Sequence, residues 1–472
     1  MKIILVDPPF EEELSVGGSK SIQKVLNVIP ALGLAYVAAS AEKAGYEVKI
    51  FDCTLGMSHA ELAEALKRER PDVVGITGTT PSSISMYRVA RDVRSLLPDA
   101  LVVAGGAHLT AVPGEVMKSA PFDAGVVGEG EVTFVELVRH FEEHGRKNLG
   151  DVQGIVFKEG DRVISTGRRP FIKDLDNLPF PARHLLPPLS AYRPTPASYR
   201  KLPLGVMITS RGCPFQCTFC DRSVFGTTYR VRSAKNVMDE VEELIGRYGA
   251  REIRFFDDTL TMNKKRVFEI CDEFDRRKIR IPWTCLTRVS AVTPEMLKRM
   301  KQAGCWQVLY GLESGDDRML KLLSKGITVE HSENATRWAR EAGLSVRADF
   351  IVGTPGETLE SMEKTLEFAK RLRVDYAHFN KFVPFPGTEL YEALTAKGYK
   401  FDFTKSSSIL DHSALLYVPE GMDAEAYGKY LDHMYRSFYL RPSYILRRLF
   451  SIKSLAQLKG QINGFFAIFG LK

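Results

Sequence analysis

The chain has 472 residues, 44% hydrophobic and 26% charged, which is typical of a soluble globular protein and too long for one domain. An odd number of seven cysteines argues against a disulfide framework and for a reducing compartment. The first apolar run is too short for a signal peptide and no stretch reaches transmembrane length, so a cytoplasmic protein is expected.

Residues 1–145 alternate short apolar runs with helical patterns. The runs predict strands at 2–6, 48–51, 73–77, 101–104 and 124–127, and the patterns predict helices at 31–44, 60–70, 83–97 and 133–144. This alternation predicts a doubly wound, Rossmann-like α/β domain. Its ligand should bind beyond the carboxyl ends of the strands, where the strand order reverses.

Small and polar residues follow three of these strands, as Asp7-Pro8, Thr77-Gly-Thr-Thr80 and Gly105-Gly-Ala-His108, and the string Val127-Gly-Glu-Gly-Glu131 comes after the last. Together they resemble the cobalamin-binding domain that precedes many radical S-adenosylmethionine (SAM) modules. The resemblance implies cobalamin contacts from Pro8, Thr77, Thr79, Gly105, Gly106, His108 and Glu129. A second interpretation of His108 is a loop histidine that caps a helix over 111–118.

One motif of methionine-synthase-type cobalamin domains is missing. Their D-x-H-x-x-G histidine replaces the nucleotide base beneath cobalt, whereas the loop Asp52-Cys-Thr-Leu-Gly-Met57 has no histidine. The resemblance therefore implies cobalamin without histidine ligation.

Residues 146–200 form a connector. A hairpin is predicted from strands at 152–157 and 162–165, and a proline-bearing linker at 174–181 is typical of a domain boundary.

Residues 201–392 contain a second alternating series. Strands are predicted at 204–209, 252–256, 282–287, 307–312, 345–352 and 376–382, and helices at 234–248, 265–277, 294–303, 329–342 and 359–372. Six such units suit a partial (β/α)6 barrel of the TIM type, in which the chemistry gathers at the carboxyl ends of the strands.

Three cysteines, Cys213, Cys217 and Cys220, follow the first barrel strand with C-x3-C-x2-C spacing. Three thiolates on one loop can hold three corners of a cubane iron–sulfur cluster and leave one iron open to a ligand. A zinc site is the alternative, but it needs a fourth ligand at short spacing. The next cysteine and histidine along the chain are Cys271 and His331.

This spacing, with Phe219 before the last cysteine, resembles the radical SAM superfamily. The resemblance implies a [4Fe-4S] cluster whose free iron chelates SAM and whose electron releases a 5′-deoxyadenosyl radical. It also implies SAM contacts from Phe219, Asp257, Asp258, Arg288, Glu313 and Gly353. Paired aspartates suit the SAM ammonium, Arg288 its carboxylate, Glu313 the ribose and Gly353 the adenine. The alternatives are an Asx-turn for the aspartates, a surface salt bridge for Arg288 and a tight turn for Gly353.

Residues 393–472 are predicted to form a helical region with a basic amphipathic tail. From Arg436 to Lys472 there are seven basic residues and no acidic one. We expect a helix docked on the catalytic domain. The alternative is peripheral contact with the inner face of a membrane, which the apolar stretch 464–470 favours.

The whole layout resembles the cobalamin-dependent radical SAM group that includes the P-methylases and the anaerobic magnesium-protoporphyrin ester cyclase. It implies methylation of an unactivated carbon in a small-molecule or lipid-like substrate. It also implies an electron donor such as flavodoxin or ferredoxin, and no nucleic-acid partner. Radical-mediated oxidative cyclisation or rearrangement is the first alternative, and a non-enzymatic cobalamin carrier or sensor with a degenerate barrel is the second.

Overall fold

The structure is a computed structural model that describes residues 1–9, 28–403 and 415–451. In these ranges the chain forms two parallel-sheet domains joined by a connector and followed by a helical region. The apolar stretch 464–470, predicted to contact lipid, lies outside the described residues.

The N-terminal domain follows the predicted alternation closely. Its strands are β1 (Lys2–Asp7), β2 (Glu47–Asp52), β3 (Val73–Thr77), β4 (Leu101–Gly105), β5 (Ala124–Val126), β6 (Ile155–Glu159) and β7 (Arg162–Ser165). Its helices are α1 (Leu32–Lys43), α2 (His59–Glu69), α3 (Ser83–Leu96), α4 (Gly106–Ala111), α5 (Pro113–Ser119) and α6 (Gly130–His144). One sheet runs in the order β2-β1-β3-β4-β5-β6-β7, with β1 to β5 parallel.

Helices cover both faces of this sheet, which explains why its central strands are apolar throughout. Ile3 and Leu5 of β1 pack with α1 and α6 on one face. Ile4 and Val6 pack with α2 and α3 on the other. The predicted doubly wound domain is confirmed.

The predicted hairpin is present as β6 and β7. It adds antiparallel to β5, with Ala124 opposite Phe157 and Val126 opposite Ile155. The sequence did not reveal this pairing, because a run of three buried residues at Ile155–Phe157 says nothing about which sheet it joins. The proposed division of the chain near residue 145 stays a prediction.

The connector is fastened to the barrel through a buried carboxylate. Glu240 accepts hydrogen bonds from both Arg183 of the connector and Arg232, and all three side chains are at most 5% exposed. Although burial raises the pKa of Glu240, the two guanidinium groups hold it below its usual value. A buried charge of this kind persists only where it is paired.

The barrel has six parallel strands, as predicted, and a small antiparallel ribbon. The strands are β8 (Leu204–Met207), β11 (Glu252–Phe255), β12 (Trp283–Thr287), β13 (Cys305–Glu313), β14 (Ser345–Val352) and β15 (Tyr376–Lys381), and the ribbon is β9 (Ser210–Arg211) with β10 (Arg230–Val231). The order is β15-β14-β13-β12-β11-β8, so β8 and β15 are the edges. The helices are α7 (Ala234–Gly246), α8 (Lys264–Arg276), α9 (Pro294–Gln302), α10 (Asp317–Leu322), α11 (Val329–Glu341) and α12 (Leu359–Leu372). The short helix α10 was not predicted.

The C-terminal region covers the open edge of β15. It consists of α13 (Glu389–Ala396), α14 (Ala424–Tyr439) and α15 (Pro442–Ser451). The Tyr439 hydroxyl donates to the Ala377 carbonyl at 2.8 Å and accepts from the Ala377 N–H at 3.1 Å. The Tyr435 hydroxyl accepts from the Phe379 N–H at 3.1 Å. These tyrosines supply the hydrogen bonds that a neighbouring strand would otherwise make.

Replacing Tyr439 with phenylalanine is expected to destabilise the protein by about 1–2 kcal/mol, because both edge groups of Ala377 lose their partner. Denaturant unfolding measures the loss. Tyr430→Phe is the matched control, since its hydroxyl contacts the exposed Glu363 and its removal should change stability by less than about 0.5 kcal/mol. Equal effects of the two substitutions would contradict this role of Tyr439.

The first part of the basic tail is docked, which confirms the preferred interpretation as far as Ser451. Arg441 donates to the Lys370 carbonyl at 3.0 Å, Arg447 to the Val374 carbonyl at 2.8 Å, and Arg448 to the Tyr376 hydroxyl at 2.5 Å. The basic groups therefore bind strand and helix ends of the barrel. No helix in the described part of the chain is both long and apolar enough to cross a bilayer.

Candidate active site

The cysteine loop is held at both ends by backbone hydrogen bonds. The Cys213 N–H donates to the Gly226 carbonyl at 3.2 Å, and the Thr218 N–H donates to the Leu323 carbonyl at 3.1 Å. Gly212 has φ +84°, and a side chain there would overlap the Thr228 carbonyl, so only glycine fits before the first cysteine. The loop is thus fixed against the β9–β10 ribbon and the end of α10.

The three thiols suit a cluster better than a single ion. Cys217 is buried, Cys213 is half-buried and Cys220 is accessible at the loop surface. Across residues 1–9, 28–403 and 415–451, no three His, Cys, Asp or Glu side chains are grouped to hold one metal ion. Three thiols on one loop match the three protein ligands of a four-iron cube that keeps one iron open, so the chemistry of this donor set fits the cube.

Burial and nearby negatively charged groups disfavour the thiolate form of Cys220 when no metal is bound. Desolvation by the groups around it, followed by Cys217, Asp258 and Cys213, raises the pKa of Cys220 to about 12. A bound metal cluster reverses this preference, because its own charge stabilises thiolates.

Arg288 lies directly behind the cysteine loop. Its Nη1 donates to the Cys217 sulfur at 3.6 Å, and its guanidinium lies 3.8 Å from the centre of the Phe215 ring. Its Nε donates to Ser290 at 3.0 Å, while Nη2 is buried and has no hydrogen-bond partner among the described residues. The predicted surface salt bridge is not what the structure shows. One buried N–H group remains available for a carboxylate.

The two predicted aspartates do different things. Asp257 is fully buried and accepts from the Thr209 N–H at 2.6 Å, the Thr209 hydroxyl at 2.5 Å and the Ser210 hydroxyl at 2.7 Å. It ties the end of β11 to the start of the cysteine loop and has little capacity left for SAM. Asp258 is exposed and lies near Cys220; its carbonyl accepts from the Thr259 hydroxyl at 2.7 Å, but its carboxylate makes no hydrogen bond or ion pair within the described ranges. Desolvation, with Asp257 second, raises its pKa.

These positions predict opposite outcomes for two isosteric substitutions. Asp257→Asn should lower stability by about 2 kcal/mol and reduce iron loading, because the amide cannot replace the second acceptor oxygen. Asp258→Asn should leave stability within about 0.5 kcal/mol of the parent and weaken SAM binding about tenfold. Denaturant unfolding and SAM titration of the reconstituted protein measure both. Weaker SAM binding only in Asp257→Asn would reverse the assignment.

Glu313 adopts a conformation that few residues other than glycine tolerate. Its φ is +64°, and the pairing of β13 with β14 shifts register between Gly311 and Glu313. The carboxylate is buried and pairs with Lys325 at 2.6 Å. A side chain at Gly311 would overlap its Oε1, so the glycine makes room for it. Strain of this kind, over-determined by its surroundings, is frequent at functional sites.

Lys325, which the sequence gave no reason to select, links two predicted SAM residues. Its Nζ pairs with Glu313 and lies 5.6 Å from the centre of the Phe219 ring. Both lie beside the cysteine loop, because Phe219 precedes Cys220. Glu313, Lys325 and Phe219 therefore form one wall of the candidate site.

Gly353 occupies the tight turn that was one of its two interpretations. Its φ is +84°, and its N–H donates to Glu357 Oε2 at 2.7 Å, with the Thr354 N–H at 3.0 Å. Burial raises the pKa of Glu357 to about 7 despite these donors. A side chain at Gly353 would overlap the Tyr427 hydroxyl, which donates to the Val352 carbonyl at 2.8 Å. Helix α14 thus reaches the end of β14; contact of Gly353 with adenine stays a prediction.

The N-terminal sheet offers an open crevice at its switch point. In the order β2-β1-β3 the reversal lies between β1 and β3, next to Pro8 and Thr77. A side chain at Gly105 would meet no atom within 4 Å, whereas one at Gly106 would meet Thr77 Oγ1 at 2.6 Å. Gly106 is therefore needed for packing, and Gly105 leaves room for a flat ligand such as a corrin.

Thr79, His108 and Glu129 lie in this region but are already engaged. Thr79 bonds Ser82 at 2.9 Å through its N–H. His108 lies within α4, 2% exposed, with Thr80 Oγ1 at 3.2 Å and the Tyr87 hydroxyl at 2.9 Å. Burial lowers its pKa to about 4. It belongs to the packing of the domain and does not cap the following helix, which corrects that alternative.

The predicted cobalamin residue Glu129 instead joins the two domains. Its carboxylate pairs at 2.8 Å with both Arg211 and Arg230 and accepts from the Ile172 N–H at 2.8 Å. Arg211 also pairs with Glu131 at 2.5 Å. All four charged side chains are at most 6% exposed. These four residues form an interdomain ion cluster: Glu129, Glu131, Arg211 and Arg230. Its Arg211 lies two residues before Cys213.

A second contact between the two domains lies after the end of β15. A side chain at Gly387, which follows β15, would come within 2.7 Å of Asp221 Oδ1 and 3.1 Å of Ala111 Cβ. Asp221 follows the last cysteine, and Ala111 ends α4 beside the crevice. Gly387 therefore lies between the segment that follows the cysteine loop and the end of α4 in the N-terminal domain.

Comparisons with known proteins agree with this two-part site. Residues 207–369 match the Radical SAM superfamily, and residues 19–138 match the B12 binding domain. An uncharacterized methyltransferase of Pyrococcus horikoshii is 37% identical over 95% of both chains. The anaerobic magnesium-protoporphyrin IX monomethyl ester cyclase of Cereibacter sphaeroides is 32% identical over 93% of this chain and 71% of its own. The radical SAM methyltransferase TsrM of Kitasatospora setae, solved with cobalamin and a [4Fe-4S] cluster, shares the fold with a TM-score of 0.68, at 21% identity over 84% of this chain and 78% of its own.

The chain belongs to the cobalamin-dependent radical SAM enzymes. Its cofactors are therefore a [4Fe-4S] cluster, SAM and cobalamin. The alternative of a non-enzymatic cobalamin carrier is not retained.

Proposed function

We propose that this enzyme transfers a methyl group to an unactivated carbon of a small-molecule or lipid-like substrate. The structural observation that supports the proposal is the packing of the N-terminal domain against the cysteine loop, through Glu129 with Arg211 and through Gly387 beside Asp221 and Ala111. The relative that matches 95% of both chains is named a methyltransferase, while the cyclase is matched over 71% of its length. Both facts favour methyl transfer.

In this proposal Cys213, Cys217 and Cys220 hold the cluster, and the free groups around them hold SAM. When bound, the cluster supplies the electron that cleaves SAM, and cobalamin supplies the methyl carrier. Asp258 is placed for the SAM ammonium and the spare nitrogen of Arg288 for its carboxylate. The Glu313–Lys325 pair is placed for the ribose.

We propose that cobalamin binds without a protein histidine beneath cobalt. The loop after β2 lies one strand away from the switch point, so the loop after β1 is the relevant one. No histidine precedes His59 in the sequence. Both ring nitrogens of His108 are occupied within the domain. Pro8, Thr77 and Gly105 are left to line the crevice.

A product assay on the anaerobically reconstituted protein tests methyl transfer. We expect both 5′-deoxyadenosine and S-adenosylhomocysteine when candidate substrates are supplied, because one SAM provides the radical and another the methyl group. Enzyme reconstituted without cobalamin is the control and should form only 5′-deoxyadenosine. If no S-adenosylhomocysteine forms with any substrate that stimulates SAM cleavage, methyl transfer is wrong.

Oxidative cyclisation or rearrangement remains the second candidate, because the cyclase relative is 32% identical over 93% of this chain. Its outcome in the same assay is distinct, because neither reaction adds a methyl group or forms S-adenosylhomocysteine. Oxidative cyclisation gives 5′-deoxyadenosine and a product two hydrogens poorer than the substrate, whereas a rearrangement gives an isomer of the substrate.

Flavodoxin or ferredoxin is proposed as the electron donor, since the reduced cluster has to be regenerated in every turnover. Rates with each donor, compared with dithionite alone, test this. A rate that neither donor raises above dithionite would remove the proposal.

Peripheral membrane contact through the tail is proposed on the exposed apolar side chains of its described part. Leu440, Ile445 and Leu446 are 44%, 39% and 56% exposed, and they flank the docked arginines. Flotation with anionic liposomes is expected to carry the full chain upward, and Leu446→Glu should weaken it. Equal soluble fractions with and without liposomes would rule it out.

A further inference from the structure

Charged residues face the inside of the barrel. On β11, Ile253 and Phe255 pack with the outer helices, so the intervening Arg254 points inward. On β14 the same alternation places Val346, Ala348 and Phe350 outward. The inward positions of β14 and β15 include Arg347, Asp349 and His378.

Arg347, Asp349 and His378 interact with one another. Arg347 donates two hydrogen bonds to Asp349, at 3.0 and 3.1 Å, and His378 Nδ1 lies 3.5 Å from the same carboxylate. Although burial raises the pKa of Asp349, the neighbouring guanidinium groups, Arg347 foremost and then Arg254, hold it below its usual value. Burial, and then Arg347, lowers the pKa of His378 to about 4, so the imidazole is neutral near pH 7.

Arg254 forms no ion pair within the described residues, although Asp349 is close enough to favour its charge. It is 4% exposed, and its Nε and Nη1 are buried and have no hydrogen-bond partner among the described residues. Burial, and then Arg347, lowers its pKa to about 10, so it is charged near pH 7. Its guanidinium lies 4.6 Å from the centre of the Phe256 ring, a weaker contact than an ion pair.

Glu252, the carboxylate two residues before Arg254 on β11, forms no ion pair with it within the described residues and is hydrogen-bonded elsewhere. Glu252 accepts from the Arg200 and Lys201 N–H groups at 2.7 Å and from Trp306 Nε1 at 2.8 Å, at the amino end of the strand. Arg183 and Arg232 are paired on Glu240, while the buried Arg266 and Arg288 have no ion pair but donate to carbonyl, hydroxyl or sulfur acceptors. Arg254 differs from these four because its guanidinium has neither an ion pair nor a hydrogen bond within the described residues.

The inside of the barrel is accessible to solvent at this level. The side chains of Asp349 and His378 are 28% and 21% exposed although protein surrounds them. Arg254 lies three residues before Asp257, so the charge is below the candidate site at the strand ends. A molecule that enters the barrel from the cysteine loop would meet both Arg254 and Arg347, whose charges are close enough to repel each other.

We propose that Arg254, supported by Arg347, binds an anionic oxygen group of the substrate, a carboxylate or a phosphate, inside the barrel. The assignment to the substrate rests on the proposed function, but the anion site does not. Guanidinium recognises both groups through paired N–H donors. The bound anion would hold the substrate below the site at which the radical forms and fix which carbon faces it.

Anion-dependent thermal stability of the cluster-loaded, cobalamin-loaded protein tests the site without any turnover. Inorganic phosphate and acetate serve as probes for the two chemistries, and acetamide is the neutral control. We expect phosphate, acetate or both to raise the melting temperature of the parent, while acetamide does not. A response to phosphate alone indicates a phosphoryl group, and a response to acetate indicates a carboxylate.

Three variants make the test specific. Arg254→Met should melt at or above the temperature of the ligand-free parent, because an unpaired buried charge is removed, and should bind the anion at least about tenfold more weakly. Arg254→Lys should keep part of the response. Arg276→Met, whose arginine is 64% exposed on α8, should respond like the parent.

Several results would overturn the proposal. The first is no change of the parent's melting temperature with phosphate or acetate, and the second is an unchanged response in Arg254→Met. The third is a large drop in the melting temperature of ligand-free Arg254→Met, which would show that Arg254 has a structural role. SAM titration completes the test: Arg254→Met should bind SAM like the parent, and a parallel loss would assign Arg254 to the SAM carboxylate. If the assay rules out methyl transfer but the anion response is intact, the anion site is retained and only the proposed reaction is wrong.

Discussion

Alanine at Cys217 is expected to leave the reconstituted protein without its cluster and without 5′-deoxyadenosine formation. Cys217 is the most buried of the three thiols and the one that Arg288 contacts at 3.6 Å. Two thiolates cannot hold a cube whose fourth iron is already open. Iron content should fall from about four per chain to a small fraction, and SAM cleavage by at least about 10³-fold.

Cys271→Ala is the matched control for this substitution. Cys271 is buried in the barrel core on α8 and lies outside the cysteine loop. It should load iron and cleave SAM like the parent. Cobalamin binding should survive in Cys217→Ala, because the crevice belongs to the separately packed N-terminal core. Full iron loading in Cys217→Ala, measured by metal analysis, would contradict the assignment.

The second large effect is expected at the interdomain ion cluster. Glu129→Gln removes the charge that pairs with Arg211 and Arg230 while keeping the shape of the side chain. Arg211 retains Glu131, but Arg230 is left as an uncompensated buried cation. Breaking one partner of such a buried pair typically costs about 3–5 kcal/mol, so denaturant unfolding should show a loss of about 3 kcal/mol.

Glu136→Gln provides the comparison. Glu136 lies on α6, also contacts an arginine, Arg169, but is 41% exposed, so its loss should cost less than about 1 kcal/mol. Because this ion cluster joins the N-terminal domain to the barrel, Glu129→Gln should also reduce S-adenosylhomocysteine formation more than SAM cleavage. Indistinguishable unfolding of the two variants would contradict a coupling role for Glu129.

Much of the fold could be predicted because its signals are local. Runs such as Ile3–Val6 and Val73–Ile76 are apolar on both faces, which indicates buried parallel strands, and the six barrel strands lie within a few residues of their predicted bounds. The pairing of β6 with β5 and the covering of β15 by Tyr435 and Tyr439 are long-range choices. No local pattern encodes them.

The candidate site divides in the same way. The cysteine spacing predicts the cluster loop without any structure. Asp257 and Glu129, in contrast, were selected by their place at strand ends, yet the structure uses both carboxylates to fasten that loop. Lys325 and Tyr427 are separated from their partners by 12 and 75 residues along the chain, so spacing could not reveal them.

The chemistry proposed for this enzyme depends most directly on an iron–sulfur cube with one open corner. Electron paramagnetic resonance of the anaerobically reconstituted, reduced protein, recorded with and without SAM, measures this property. We predict the signal of a reduced [4Fe-4S] cluster whose line shape changes when SAM is added, because SAM ligates the free iron. A signal that SAM leaves unchanged, or zinc in place of iron in the purified protein, would contradict it.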